Sequence, residues 1–294
     1  MTINKKELRN MLTGFAFLAP NVIGFMAFTM MPVVVSFGLA FMEWDIIGDP
    51  VFIGLNNFIT LFQDRNFWYY LYNTVYLMLG IPLGMAFSLF LAILVNNKLR
   101  GIVFFRTIYF MPVISSMVAI SLLWRWVYNP DFGILNNFLR DIGVINPPRW
   151  LSSLGWAKPS LIIMSVWSGA GHNMILYLAA LQGVPQELYE SASIDGATKW
   201  EQFRHITFPM LSFVNFFIVI MGIIGGFQAF GVQYIMTEGG PAGSTTTIVY
   251  YIYNNAYKWF KMGYASSIAW VLFIMMFVFT LIQWRLGKKS GEYY

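Results

Sequence analysis

Few side chains in this sequence are suited to covalent or metal chemistry. The chain of 294 residues has no cysteine, which excludes disulfides, thiolate metal sites and cysteine nucleophiles. Its two histidines, His172 and His205, are too few and too far apart for a histidine-based metal site. The sequence contains neither a G-x-S-x-G nucleophile elbow nor a G-x-x-x-x-G-K-[ST] phosphate-binding loop. We therefore expect no catalytic residues, no metal and no cofactor in this chain.

The most distinctive segment is 184–211, which reads VPQELYESASIDGATKWEQFRHITFPML. Residues 187–194 favour a helix, with negative charge near its start, where the helix dipole stabilises it. Asp195-Gly196 is typical of a turn or a helix end, and 197–206 is predicted to be a second helix. The segment could be a surface loop whose aromatic side chains touch the bilayer, or a docking site for a cytosolic partner.

The amino-acid composition of the whole chain indicates the environment in which it folds. Apolar residues make up 58% of the chain and charged residues 11%, against roughly 25% charged residues in a typical soluble domain. The mean hydropathy is +0.61, and aromatic residues reach 19%. A soluble protein of this size could not bury so much apolar surface. The chain is therefore an integral membrane protein, and disorder, a fibrous repeat and a soluble enzyme are excluded.

Six apolar segments are each long enough to cross a bilayer as a helix, for which about 20 residues suffice. They are 11–42, 67–95, 103–127, 160–183, 208–236 and 263–286. The predicted fold class is all-α, a polytopic membrane protein with six transmembrane helices in a single domain, 1–294. The first segment contains Pro20 and Pro32, so we expect it to be kinked or tilted.

Basic residues predict which ends of these helices face the cytoplasm. With the amino terminus inside, the inner segments carry 11 of the 18 lysines and arginines, among them Lys98 and Arg100 in the tight loop 96–102. Short basic loops face the cytoplasm, so both termini are predicted there, and the loops 128–159 and 237–262 lie outside. This bias accounts for the net charge of +5, and no nucleic-acid partner is expected.

Polar side chains inside the predicted helices are candidates for a substrate path, because polar groups are costly in lipid. They are Asn73, His172, Asn173, Asn215, Gln228, Gln233 and Tyr234. Amides, an imidazole and a phenol hydrogen-bond hydroxyl groups, and aromatic residues such as Trp167 and Phe230 can stack on sugar rings, which favours a neutral saccharide. Each polar group could instead bond a neighbouring helix. Glycines interrupt the fifth segment near Gln228 and Gln233, so we expect that segment to line the pore.

The segment 184–209 resembles the EAA loop of bacterial ABC importer permeases, and we call it the coupling segment. The family pattern is EAA, three residues, G, nine residues and I-x-L-P, and the spacing here is complete, with Ser191 and Phe208 replacing an alanine and a leucine. The residues that the resemblance marks are Glu190, Ser191, Ala192, Asp195, Gly196, Ile206 and Pro209. The stretches 54–58, 106–112, 239–241 and 263–265 resemble the carbohydrate-uptake branch, of the maltose and glycerol-3-phosphate type.

This resemblance covers residues 12 to 289 and implies a type I ABC importer permease in the bacterial cytoplasmic membrane. Its partners would be a second homologous permease in a heterodimer, two cytosolic ATPase subunits that bind ATP and magnesium, and an external solute-binding protein. The coupling segment would dock in a cleft of the ATPase, with Glu190 in contact and Gly196 making the tight turn. The ending 283–286, QWRL, resembles the first of the two permeases. The implied solute is an oligosaccharide, with a glycerol phosphate as the alternative.

Two other classes of membrane protein fit less well. A secondary transporter would carry acidic residues inside its spans, and none of the 13 acidic residues lies in the middle of one. A membrane-embedded hydrolase would need a nucleophile and a base, and only the pair His172-Asn173 comes near. A single histidine in a membrane helix more often bonds a neighbouring helix.

Overall fold

The structure is a computed structural model that describes residues 5–96 and 101–290. Lys98 and Arg100, on which part of the predicted orientation depends, lie outside the described residues. The described part is mainly helical, which confirms the all-α prediction, and includes one short antiparallel ladder that pairs Met42 with Phe52.

The elements follow one another in chain order. The α-helices are α1 (Lys5–Phe25), α2 (Met31–Leu39), α3 (Asn56–Gln63), α4 (Arg65–Leu77), α5 (Gly80–Asn96), α6 (Ile102–Ile114), α7 (Met117–Val127), α8 (Ile134–Asp141), α9 (Ala157–Gln182), α10 (Gln186–Ile194), α11 (Lys199–Gln202), α12 (Phe208–Met210), α13 (Ser212–Phe227), α14 (Gly231–Met236), α15 (Ile248–Tyr253) and α16 (Met262–Ser290). The strands are β1 (Met42–Glu43) and β2 (Val51–Phe52). Turns of π-helix occupy Met26–Met30, Phe203–Thr207 and Asn254–Lys258.

Helical stretches long and apolar enough to cross a membrane match four of the six predicted segments. They are Arg9–Leu39, Arg65–Asn96, Ala157–Gln182 and Met262–Arg285. The third and fifth segments form bent pairs instead: α6 meets α7 at 102°, and Lys199–Met210 meets α13 at 63°. The described chain therefore has four candidate spans, or six if each bent pair is one span.

Local sequence explains why the third and fifth segments are not the single helices that hydropathy predicts. Pro112 lacks an N–H, and Ser115 and Ser116 adopt extended conformations (ψ 148° and 131°), so α6 ends there. In the fifth segment Leu211 leaves the helical region before α13 begins, and α13 ends at Phe227. Hydropathy misses such breaks because the residues on both sides of them are equally apolar.

One compact unit combines residues up to Asp64 with Ile252–Val271. The buried Asn57 amide donates hydrogen bonds to the carbonyl oxygens of Ala40 (3.0 Å) and Met42 (2.9 Å), which fixes α3 against the end of α2. The Tyr264 hydroxyl donates to the Asp64 carboxylate at 2.8 Å. These bonds give structural roles to residues within two of the stretches, 54–58 and 263–265, that resemble the carbohydrate branch.

The other unit combines Arg65–Tyr251 with Leu272–Tyr294, and its core lies where α5 and α9 pack along each other. Leu91 and Ala92 from α5 meet Met174 and Tyr177 from α9 in one buried cluster. A Cβ atom at Gly171 would overlap the carbonyl oxygen of Tyr109, so α6 lies directly against the backbone of α9. This unit carries the coupling segment and the polar residues predicted for the substrate path.

Candidate coupling segment and membrane cavity

The first half of the coupling segment is a helix closed by a glycine. In α10, Asp195 is the C-cap and Gly196 follows with φ +83°. Ala197 N–H donates to Ala192 O (2.9 Å) and Gly196 N–H to Ser193 O (3.2 Å), the two bonds of a Schellman motif. A Cβ at Gly196 would meet no atom within 4 Å, so the left-handed backbone, not crowding, favours glycine here.

The second half begins with a capping box. Thr198 accepts a hydrogen bond from Glu201 N–H (3.3 Å), and the Glu201 carboxylate accepts one from Thr198 N–H (2.7 Å). The backbone N–H and hydroxyl of Thr198 hold the pKa of Glu201 below its usual range. The helix predicted over 197–206 is α11 followed by the π-helical turn Phe203–Thr207.

Side-chain hydrogen bonds join the two halves. Gln202 is 4% exposed, and its Nε2 donates to Ser193 Oγ at 2.9 Å. Lys199 Nζ donates to Gln202 Oε1 at 3.3 Å, and the hydroxyls of Tyr189 and Thr207 are 2.9 Å apart. None of these side-chain pairs was predicted from the sequence. Only the T-x-x-E spacing of the capping box was a readable signal, because long-range side-chain pairs leave no periodic trace.

The marked residues of the coupling segment lie mostly on its surface. Glu190, Ser191, Asp195, Gly196 and Pro209 are exposed, whereas Ala192 and Ile206 are half-buried. Apolar side chains accompany them: Ile194 is 87% exposed and Trp200 is 67% exposed. Trp200 stacks on Phe203 with ring centroids 5.5 Å apart. The segment thus presents a carboxylate, a glycine turn and two large apolar groups on a cross-linked frame.

A cavity of about 400 Å³ lies among α5, α9 and α13. Its lining includes several glycines, among them Gly80 and Gly84 of α5 and Gly222 and Gly226 of α13. A Cβ at Gly226 would come within 2.8 Å of the Met78 side chain, so a larger residue there would have to displace it. Because these lining residues are glycines, they contribute no side chains to the space of the cavity.

Three of the seven polar residues predicted for the substrate path line this cavity: His172, Asn173 and Gln233. Gln233 is 5% exposed, and within the described residues its Oε1 has no hydrogen-bond partner. A buried carbonyl oxygen without a hydrogen-bond donor is energetically costly. Ser165 also lines the cavity and was missed, since a serine in an apolar helix usually bonds its own backbone, as this one does to Leu161 O (2.7 Å).

The other four polar residues do not line this cavity. Asn73 is fully buried, and its amide donates to the carbonyl oxygens of Gly243 (2.9 Å) and Thr246 (3.1 Å). Asn215 accepts a hydrogen bond from the Tyr177 hydroxyl at 2.7 Å.

Gln228 is an exposed C-cap of α13, and the Tyr234 ring packs near those of Phe230 and Tyr250. Trp167, proposed for sugar stacking, packs against Trp124 at 5.4 Å. Asn73 and Asn215 thus make the hydrogen bonds within the protein that were the alternative for each polar group.

Across residues 5–96 and 101–290, no group of three or more histidine, aspartate or glutamate side chains is placed to hold a metal ion. The candidate site consists of the exposed coupling segment and the polar cavity.

Comparison with known proteins identifies the family. Residues 80–289 match the model for the binding-protein-dependent transport system inner membrane component. The lactose transport system permease protein LacF of Rhizobium radiobacter is 38% identical over 287 residues, which cover 95% of each chain. The resemblance that the EAA spacing indicated is thus confirmed.

Solved structures agree with the fold. A chain of a bacterial ABC transporter involved in the import of the acidic polysaccharide alginate aligns with a TM-score of 0.83 and 26% identity, covering 97% of this chain and 98% of that one. A bacterial alginate ABC transporter in complex with an alginate pentasaccharide-bound periplasmic protein aligns with a TM-score of 0.81 and 26% identity, covering 95% and 94%. The all-α polytopic fold of an ABC importer permease is confirmed.

The family match, the relative and the candidate membrane-spanning helices all indicate a transport permease. In this family ATP hydrolysis takes place in a separate subunit. The chain is an integral membrane protein that belongs to the family of inner-membrane components of binding-protein-dependent transport systems, and it is an ABC transporter permease.

Proposed function

We propose that this permease forms one half of the path by which an ABC importer moves a neutral oligosaccharide into the cell. The observation that carries this proposal is the cavity among α5, α9 and α13. Its polar side chains are Ser165, His172, Asn173 and Gln233, which hydrogen-bond hydroxyl groups, and no lysine, arginine, aspartate or glutamate lines it within the described chain. Hydroxyl-rich solutes fit such a lining.

The absence of a charged side chain in this lining, within the described residues, supports a neutral solute over the acidic alternatives. LacF is named for lactose, a neutral sugar, whereas the structural neighbours serve the acidic polysaccharide alginate. An acidic sugar or a glycerol phosphate would lose its hydration in the cavity without a cation to replace it. A neutral sugar needs only the donors and acceptors that the lining offers.

The coupling segment is proposed to dock on a cytosolic ATPase. Ile194 and Trp200 are large apolar side chains that a protein surface would cover, and Glu190 offers a charge beside them. With this docking, 184–209 and both termini would lie in the cytoplasm. The complete transporter would contain a second homologous permease, two ATPase subunits that bind ATP and magnesium, and an external solute-binding protein. The periplasmic protein in the complex of the structural neighbour supports the last of these partners.

A transport assay on the whole complex tests the solute class. The permease, the second permease, the ATPase and the solute-binding protein encoded with it are reconstituted in proteoliposomes. ATP-dependent uptake is measured for lactose, maltotriose, an alginate oligosaccharide and glycerol 3-phosphate. We expect uptake of a neutral sugar. Uptake of the anionic solutes alone would contradict the neutral-sugar proposal, and uptake of none of the four would contradict the whole function.

A further inference from the structure

A second cavity lies near the predicted outer ends of the helices. It has a volume of about 370 Å³, similar to that of the membrane cavity, and within the range of roughly 300–1,000 Å³ common for small-molecule sites. It lies where α7 ends, beside the loop before α9 and the end of α14. Its polar residues are Arg125, Asn129, Ser152, Thr237 and Glu238, and the Tyr128 ring forms part of its wall. We call it the outer pocket.

The wall of the outer pocket is rigid. Tyr128 is 1% exposed, its hydroxyl donates to Ser160 O at 3.0 Å, and its ring lies 5.0 Å from Trp124 and 5.6 Å from Trp150. Arg125 Nη1 donates to Ile235 O at 3.4 Å, a contact that uses one of the five N–H donors of a guanidinium. The arginine is thus anchored to α14 while most of its donors remain for other groups.

Glu238 is held in a backbone conformation that few residues adopt. Its φ is +52°, and Gly239 follows with φ +82°. The carbonyl oxygen of Gly239 accepts hydrogen bonds from Thr245 N–H (3.2 Å) and the Thr246 hydroxyl (3.3 Å), which fixes the loop. Such strain in a non-glycine residue is concentrated at functional sites. Here it accompanies a carboxylate on the wall of a cavity.

Helix α14 connects the outer pocket to the membrane cavity. Gln233 of α14 lines the membrane cavity, whereas Met236, one turn later, lines the outer pocket. Three residues of α-helix advance about 5 Å along the axis. The Thr237 hydroxyl, also on the outer pocket, donates to Gln233 O at 2.9 Å. A solute in the outer pocket, beside Met236, would therefore lie about one turn of α14 away from Gln233, which lines the membrane cavity.

We propose that the outer pocket is a saccharide-binding site, which the transported sugar occupies before it passes α14 into the membrane cavity. This inference rests on the proposed function. Arg125 donates to hydroxyl oxygens and Glu238 accepts from hydroxyl hydrogens, so together they bind polyhydroxyl compounds through charge-assisted hydrogen bonds. Their charges cancel, and each would repel an ion of its own sign, which favours a neutral sugar.

Cysteine labelling tests occupancy directly, because the chain has no native cysteine. Ser152→Cys places a thiol on the outer pocket, and Ile145→Cys places one on an exposed site outside it, where the isoleucine is 89% exposed. The complex is held in nanodiscs without the solute-binding protein and treated with a membrane-impermeant maleimide. The probe is whichever of lactose and maltotriose the wild type takes up. We expect saturating sugar to slow labelling of the Ser152→Cys variant at least threefold and to leave labelling of the Ile145→Cys variant unchanged.

Uptake kinetics provide a second readout. The quantity measured is the concentration of sugar-loaded binding protein that gives half-maximal uptake. We expect Arg125→Gln and Glu238→Gln each to raise it about tenfold, because each variant loses one charge-assisted hydrogen bond. Arg149→Gln, at an exposed arginine of the same outer region that does not line the pocket, is the matched control.

Three results would overturn the inference. Equal labelling of the Ser152→Cys variant with and without sugar, while the wild type still transports that sugar, would reject the outer pocket and leave the proposed function intact. The variants Arg125→Gln and Glu238→Gln could lose stimulation of the ATPase by the binding protein while sugar fails to slow labelling of the Ser152→Cys variant. That result would show that the pocket is a protein-docking surface and not a sugar site. Failure of the wild type to take up either sugar would remove the neutral-sugar function and this inference together.

Discussion

The Nε2 atom of Gln202 donates a hydrogen bond to Ser193 Oγ at 2.9 Å, across the turn that separates α10 from α11. A second link, between the hydroxyls of Tyr189 and Thr207 at 2.9 Å, joins the start of the segment to the helix that leads into α13. The two halves of the coupling segment are thus cross-linked at two points. A push on α10 would be carried to α12 and α13 as the movement of one body.

Gln202→Leu should therefore lower the number of sugar molecules transported per ATP hydrolysed. The substitution keeps an apolar stem in the buried position and removes the bonds to Ser193 and Lys199. Loss of a net hydrogen bond costs about 1 kcal/mol, roughly fivefold in the balance between joined and separated halves. Uptake and ATP hydrolysis are measured together in proteoliposomes. Glu187→Gln, on the exposed face of α10, is the control. If Gln202→Leu left the number of sugar molecules transported per ATP unchanged, the cross-link would not contribute to coupling.

The effect of a substitution at Gly196 on local stability should depend on backbone strain and not on side-chain size. A Cβ there meets no atom within 4 Å, but the φ of +83° disfavours every L-residue, least of all asparagine. We expect Gly196→Val to cost about 1–2 kcal/mol of local stability and to release the ATPase during purification. Gly196→Asn should retain it. If both variants lost the ATPase equally, contact with the partner and not the turn would require glycine.

Glu190→Lys should leave the permease folded and in the membrane, because Glu190 is exposed. Reversing its charge should weaken docking of the ATPase, measured as the amount of ATPase that co-purifies and its dependence on salt. Glu187→Lys, on the same helix but outside the EAA pattern, is the control. Equal retention of the ATPase in Glu190→Lys and the wild type would remove Glu190 from the docking surface.

The two glutamines of the fifth segment should differ in their effect on transport. Gln233 lines the membrane cavity and its carbonyl oxygen has no partner in the described structure, whereas Gln228 is exposed outside the cavity. Gln233→Leu should reduce sugar uptake about tenfold, the effect of one lost hydrogen bond to substrate plus a narrower cavity. ATPase stimulation by the loaded binding protein should persist. Gln228→Leu should transport normally, and a defect equal to that of Gln233→Leu would place the path elsewhere.

Membrane orientation is tested with single cysteines in intact cells. Asn137→Cys, in the exposed outer helix α8, should react with an impermeant maleimide, and Glu187→Cys only after permeabilisation. Ser244→Cys should react slowly in either case, since Ser244 is 2% exposed. Labelling of the Glu187→Cys variant in intact cells would contradict the proposed orientation and indicate the opposite one.

Hydropathy predicted the membrane helices well because the apolar runs are long, but it could not locate the breaks within the third and fifth segments. The breaks lie at Ser115-Ser116, just after Pro112, and at Leu211, within stretches that stay apolar on both sides. The glycine turn at Gly196 was predictable, since a left-handed residue after a helix has few alternatives.

The substrate path was harder to predict. Asn73 and Gln233 are both amides in apolar surroundings, yet Asn73 holds a distant loop through Gly243 and Thr246, and Gln233 faces a cavity. A partner 170 residues away leaves no local pattern in the sequence. Only the folded chain separates a structural amide from one that is available to a solute.

The contact between α6 and α9 limits how this protein can evolve. Backbone fills the space where a Cβ of residue 171 would lie, so even alanine, the smallest change, would force the carbonyl of Tyr109 and its whole helix outward. A displaced helix cannot be corrected by rotating one side chain. Mutations at this position can therefore be rescued only by repacking along both helices, which makes glycine at 171 a residue that single-step variation cannot replace.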